Sequence, residues 1–81
     1  MSLKSLAFRE KQKQSWDQLD LLLKQIEKKG IASLRPHEIV QLGKLYRTAS
    51  SSLYVARNLS LDRNLHEYLE SLVAKGYLAI Y

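Results

Sequence analysis

Residues 36–58 have the sequence PHEIVQLGKLYRTASSSLYVARN, which contains the most regular helical pattern of the chain. Apolar residues recur in it at alternating steps of three and four, the spacing of one face of an α-helix. They are Ile39, Leu42, Tyr46, Ala49, Leu53 and Ala56. Pro36 suits the first helical position because its missing N–H would have no partner there. The pattern predicts a helix over residues 36–58 that lies along the seam of a helical bundle.

Similar patterns on either side of this stretch predict two more helices, at about residues 4–29 and 63–81. Gly30 is a good C-cap for the first helix, and Asp62 is a strong N-cap for the last. Connections of about five residues favour antiparallel neighbours. We therefore predict an all-α fold, an antiparallel three-helix up-down-up bundle, in a single helical domain over residues 1–81.

The composition excludes several classes of protein. Hydrophobic residues make up 46% of the 81 residues and charged residues 26%, values that argue against intrinsic disorder. The chain has no cysteine, which excludes disulfides and thiolate metal sites. No run reaches the roughly 18 apolar residues that a membrane-spanning helix needs.

The net charge of +5 leaves several kinds of partner open. A basic surplus is compatible with a solvated surface, an anionic membrane face or nucleic acid. The predicted third helix is acidic and apolar, which argues against nucleic acid because its carboxylates would repel phosphate. A small basic nucleic-acid-binding helical module is the alternative function. Its phosphate contacts would come from Lys11, Lys13, Lys24, Lys28, Lys29 and Arg47.

No motif in the sequence indicates catalysis. Phosphate-binding glycine loops, zinc-protease motifs, nucleophile elbows and calcium loops are all missing from it. His37 and His66 fall in different predicted helices, and the serine run 50–52 has no histidine nearby and reads as small helix-surface residues. We therefore expect no enzymatic activity, no cofactor and no metal site.

Apolar and tyrosine residues that fall off the main stripes indicate a surface for interaction. Such a surplus is typical of a domain that packs against a protein partner or against a second copy as a homodimer. The residues that we expect at this surface are Tyr46, Arg47, Tyr54 and Arg57.

Four stretches, in this order and at the expected spacing, resemble the N-terminal cytoplasmic segment of the stage II sporulation protein M-like family of integral membrane proteins. The stretches are WDQLDLLL (16–23), LRPHEI (34–39), LGKLYR (42–47) and LHEYLESLVA (65–74). The similarity extends over about residues 8–81. One departure lies before the loop proline, where the family usually has a serine and this chain has Arg35.

The resemblance implies a non-catalytic interaction or scaffold domain on the cytoplasmic side of the cell membrane, in a polytopic protein linked to cell-envelope processes. It also implies membrane helices after Tyr81, so that this soluble segment would be a fragment of a longer bacterial protein. The abrupt apolar end of the sequence agrees with that expectation. By analogy with the family, an AAA-type ATPase of the MoxR kind is a candidate partner.

Overall fold

A computed structural model describes residues 3–58 and 62–81, with side chains from residue 6 onward. These residues form α1 (Leu3–Lys29), a short 3-10 helix (Ile31–Ser33), α2 (Pro36–Asn58) and α3 (Arg63–Ile80). They contain three α-helices and no strand, so the prediction of an all-α protein is confirmed. The bounds differ by one residue from the predicted ones, at the start of α1 and the end of α3. Residues 1–2 and 59–61 of the predicted domain lie outside the described residues.

The ends of the helices follow from the local sequence. Gly30 ends α1 with φ of 84°, a conformation that costs glycine little, and its N–H donates to Ile26 O at 2.8 Å. At the start of α2, Arg35 has no capping hydroxyl, but Glu38 Oε1 accepts from the Arg35 N–H at 2.9 Å. That bond is half of a capping box. Asp62 is confirmed as the N-cap of α3.

The core runs along the inner faces of all three helices and differs from the predicted stripe at several positions of α2, where Tyr46 is only half-buried and Ser52 is buried. Ile39 is 49% exposed, whereas Leu45, which was outside the stripe, is buried. The reason is that α2 packs against both α1 and α3, so its buried face is wider than one line of residues. The buried hydrophobic residues are Trp16, Leu19, Leu22, Leu23, Leu34, Leu42, Leu45, Ala49, Leu53, Ala56, Leu65, Leu69 and Leu72.

Each helix packs against the other two, most extensively α2 against α3. The molecule is compact, with a Cα radius of gyration of 13.0 Å and extents of 40 × 19 × 17 Å. Its long axis matches α1, because 27 residues at about 1.5 Å each give roughly 40 Å. Within residues 3–58 and 62–81, none of the helices combines the length and apolar character that a membrane crossing requires.

Candidate interaction surfaces

The four residues predicted at an interaction surface all lie on α2, but the structure does not gather them into one cluster. Tyr46 is half-buried and faces α3, whereas Arg47 is exposed and lies toward α1. Tyr54 is 68% exposed and Arg57 is also exposed. Along the helix, Tyr54 lies about two turns, or roughly 12 Å, from Tyr46, and Arg57 lies about three turns, or roughly 15 Å, from Arg47.

Tyr46 instead belongs to an aromatic group that we call the tyrosine cluster, formed by Tyr46, Tyr77 and Tyr81. The ring centroids of Tyr46 and Tyr81 lie 6.2 Å apart and those of Tyr77 and Tyr81 lie 5.1 Å apart. These are the distances of interacting aromatic rings. Tyr77 is 54% exposed and Tyr81 is 81% exposed. The cluster therefore presents aromatic surface to solvent, where α3 ends beside the first half of α2.

A glycine allows α3 to approach this side of α2. A Cβ atom on Gly76 would lie 2.7 Å from Tyr46 Cδ1, closer than real Cβ contacts. Gly43, by contrast, is open: a Cβ there would meet only Arg47 Nη1, at 3.7 Å. The close approach occurs at Gly76.

A second aromatic group, the Trp16 centre, consists of Phe8, Trp16, Ser52 and Tyr68. The Trp16 indole N–H donates to Ser52 Oγ at 3.0 Å in the buried core. The Phe8 and Tyr68 rings lie 5.7 and 6.2 Å from Trp16. Reading the serine run as surface residues is therefore wrong for Ser52. The step of three from Ala49 to Ser52 places it on the core face, a signal that the sequence contained.

Tyr68 is the described residue whose ionisation the structure clearly changes. Its pKa is raised above the usual value of 10.0, first by burial of the hydroxyl and then by the negative charges of Asp20 and Asp17. Deprotonation is disfavoured because the phenolate would lose hydration and be repelled by the two carboxylates. The hydroxyl therefore stays protonated through the physiological range.

Several shallow grooves flank α1, and the two that lie beside its first half differ in charge. The groove between α1 and α3, which we call the Arg9 groove, has two cations in its lining, and each forms an ion pair. Arg9 Nη2 lies 3.2 Å from Asp62 Oδ2, and Lys13 Nζ lies 2.7 Å from Asp17 Oδ2. The lining residues are Arg9, Lys13, Trp16, Asp17, Asn64, Leu65 and Tyr68.

The groove between α1 and α2, which we call the Lys44 groove, is lined by two cationic side chains, and its described lining residues include no Asp or Glu. Neither Lys44 nor Arg47 forms an ion pair within the described residues. The groove has a volume of about 330 Å³. Its lining residues are Phe8, Gln12, Lys44, Arg47, Thr48, Ser51, Ser52 and Val55.

Nothing in the described part of the chain assembles a metal site. No three side chains among its His, Asp and Glu residues lie close enough to hold an ion. His37 is exposed at the start of α2, and His66 lies on α3 beside Glu70, with 3.4 Å between His66 Nε2 and Glu70 Oε1.

Comparison with known proteins gives one match. A protein-family model described as "Domain of unknown function (DUF8413)" matches residues 6–81. No curated protein and no solved structure matches the chain. The match does not link the chain to the stage II sporulation protein M-like family, so that resemblance stays a prediction.

Proposed function

The chain belongs to the family DUF8413, and we propose that it is a non-catalytic interaction domain that binds a protein partner or a second copy through the tyrosine cluster. The observation that carries this proposal is the exposure of aromatic rings that contact one another. Tyr77 and Tyr81 are more than half exposed although both rings are held by aromatic neighbours. Tyrosine in such a setting supplies a large contact area at a small entropic cost.

Further exposed apolar residues support the proposal. Ile39 and Val40 are exposed in the first turns of α2, the helix that also carries Tyr46. A partner that covered these residues together with the tyrosine cluster would gain roughly 25 cal/mol per Å² of apolar area removed from water. Tyr54 and Arg57, two to three turns beyond Tyr46 on the same helix, would then lie toward the rim of the contact.

Site-specific photo-crosslinking tests the proposal whatever the identity of the partner. A photoreactive phenylalanine at position 77 should give a discrete adduct in the native cells, either with a second copy or with another protein. The matched control is the same residue at Leu21, which is also apolar and exposed but lies on α1. Equal or absent adducts at the two positions would contradict the proposal. Sedimentation of the purified chain would then separate a homodimer from a complex with another protein.

We also propose that the three helices form the antiparallel up-down-up bundle. Contacts between distant residues support this arrangement: Trp16 in the middle of α1 bonds Ser52 late in α2, and Tyr46 early in α2 meets Gly76 late in α3. A nitroxide on Lys29→Cys should broaden amide signals at the start of α2 and at the end of α3. Broadening at the end of α2 instead would exclude the arrangement.

The resemblance to the stage II sporulation protein M-like family extends the proposal to cellular location. It supports a place on the cytoplasmic side of the cell membrane, in a polytopic protein linked to envelope processes, with an AAA-type ATPase of the MoxR kind as candidate partner. The net charge of +5 is compatible with the anionic cytoplasmic face of a membrane. The test is the coding sequence after Tyr81 in the native gene, where spans of about 20 apolar residues are expected.

A basic nucleic-acid-binding module is the second candidate, favoured by one observation. After Glu38, α2 carries Lys44, Arg47 and Arg57, all exposed, and no acidic residue. A gel-shift assay at two salt concentrations tests it, because phosphate contacts must weaken steeply as salt rises. A shift of the nucleic-acid band that does not change with salt would exclude this candidate.

A further inference from the structure

The Lys44 groove presents four polar side chains from one face of α2. Lys44, Arg47, Thr48 and Ser51 occupy positions i, i+3, i+4 and i+7, which lie side by side on a helix. Gln12 from α1 lines the opposite wall. Two positive charges, two hydroxyls and an amide therefore border one depression, and every one of these groups can donate a hydrogen bond.

The charge of this groove is not balanced by the protein. The described residues that line it include no Asp or Glu, and its two cations have no ion-pair partner among them. Like charges one helical turn apart repel each other and destabilise the helix. An anion bound between Lys44 and Arg47 would reduce that repulsion. The Arg9 groove provides the contrast within the same molecule, because both of its cations are paired with aspartates.

One donor lies at the buried floor of the groove. Ser52 lines it and is buried, and its oxygen accepts the Trp16 indole N–H at 3.0 Å. Within the described residues, no hydrogen bond in which the Ser52 hydroxyl acts as donor is found. Its proton is therefore not committed to a protein acceptor among these residues. The same bond connects the groove to Trp16, which is the single tryptophan of the chain.

We propose that the Lys44 groove binds the phosphate group of a phosphate ester. Arginine and lysine with several neutral donors match a doubly charged tetrahedral oxyanion, which offers more acceptors than a carboxylate. A volume of about 330 Å³ exceeds what a bare phosphate ion fills and is typical of a small-molecule pocket. Phe8 and Val55 give the groove apolar wall, which suits the organic part of an ester.

The source of the ester is a soluble compound or the headgroup of an anionic lipid, and the two share this chemistry. The site goes beyond the proposed interaction function. It lies between α1 and α2, whereas the tyrosine cluster is formed by α2 and α3. Loss of phosphate binding and loss of crosslinking at position 77 are therefore separable results.

Amide NMR of the ¹⁵N-labelled chain tests the site with inorganic phosphate and phenyl phosphate at constant ionic strength. We expect saturable shifts at the Thr48 and Ser51 amides and at the Trp16 indole N–H. Phenyl phosphate should bind more tightly than inorganic phosphate because its ring reaches the apolar wall. Shifts that do not saturate, or that spread over all surface amides, would overturn the proposal.

Matched charge variants separate the groove from general basicity. Lys44→Gln with Arg47→Gln should weaken phenyl phosphate binding about tenfold or more, since two charge-assisted contacts are lost. Lys28→Gln with Lys29→Gln removes the same charge from exposed residues at the end of α1 and should leave binding unchanged. Equal weakening in both double variants would overturn the proposal.

Vesicles distinguish the two sources of the ester. Phosphatidylcholine vesicles with and without phosphatidic acid are sedimented with the wild type and both double variants. Retention that requires phosphatidic acid, Lys44 and Arg47 assigns the groove to a lipid headgroup, whereas phenyl phosphate binding without retention assigns it to a soluble ester. Retention of short DNA without any small-phosphate binding would overturn the proposal in favour of a nucleic-acid surface.

Discussion

The Trp16 centre and the tyrosine cluster are both built from aromatic rings at contact distance, but they differ in burial. Trp16 is 2% exposed and satisfies its only polar hydrogen through Ser52, whereas Tyr81 is 81% exposed. The first group lies where α1 covers the α2–α3 pair, and the second lies where α3 ends. Aromatic chemistry therefore stabilises the fold at one place and remains available for binding at the other.

The substitution with the largest expected effect on this comparison is Trp16→Ala. It should lower the free energy of unfolding by about 3–5 kcal/mol, because a fully packed aromatic side chain is replaced by a cavity. That loss is a large part of the roughly 5–15 kcal/mol typical of a domain. Urea unfolding followed by circular dichroism measures it. The matched variant, Tyr81→Ala, should change stability by less than about 1 kcal/mol, and a similar loss in both would remove the distinction.

Ser52→Ala tests the polar part of the Trp16 centre. The indole N–H would stay buried without an acceptor, which should lower the free energy of unfolding by about 1–3 kcal/mol. Ser51→Ala is the control, because Ser51 is exposed and alanine is the better helix former. If Ser52→Ala were as neutral as Ser51→Ala, the 3.0 Å bond would not contribute to stability.

Substitutions at the two glycines within helices test the packing beside the tyrosine cluster. Gly43→Ala should stabilise the chain by up to about 1 kcal/mol, since alanine favours the helix and the site has room. Gly76→Ala should destabilise it by about 1 kcal/mol, because overpacking against Tyr46 outweighs the same gain. Thermal unfolding of both variants measures the difference, and stabilisation by both would mean that Tyr46 moves aside freely.

The smallest expected effect is a pH dependence from Tyr68. The folded-state pKa of Tyr68 is raised, so the unfolded chain loses this proton first as the pH rises above about 10. Its contribution to stability is fully present below that pH and is lost as the pH rises through the folded-state pKa. Tyr68→Phe should flatten the fall in stability at alkaline pH. An unchanged slope in the variant would show that Tyr68 does not cause the fall.

Tyr46 and Ser52 show which features of the candidate surfaces could not be predicted in full from the sequence. Tyr46 was expected on the apolar stripe of α2 and at an interaction surface, and it is half-buried, with its ring against Gly76, thirty positions further along the chain. Ser52 is the buried residue of the serine run. Spacing along α2 could place both residues toward its buried side, but the atoms that each contacts depend on which neighbouring helix passes that position.

The sequence by itself determined that the chain is all-α, that α1 ends at Gly30, and where α2 and α3 begin. Those features depend on local physics: apolar periodicity, the fixed φ of Pro36, the positive φ of Gly30 and the capping carboxylate of Asp62. Only the tertiary structure decided that Leu45 is buried and Ile39 exposed, and that Lys44 and Arg47 border a groove free of acids. Burial and electrostatic balance are set by contacts between helices, and no local pattern specifies them.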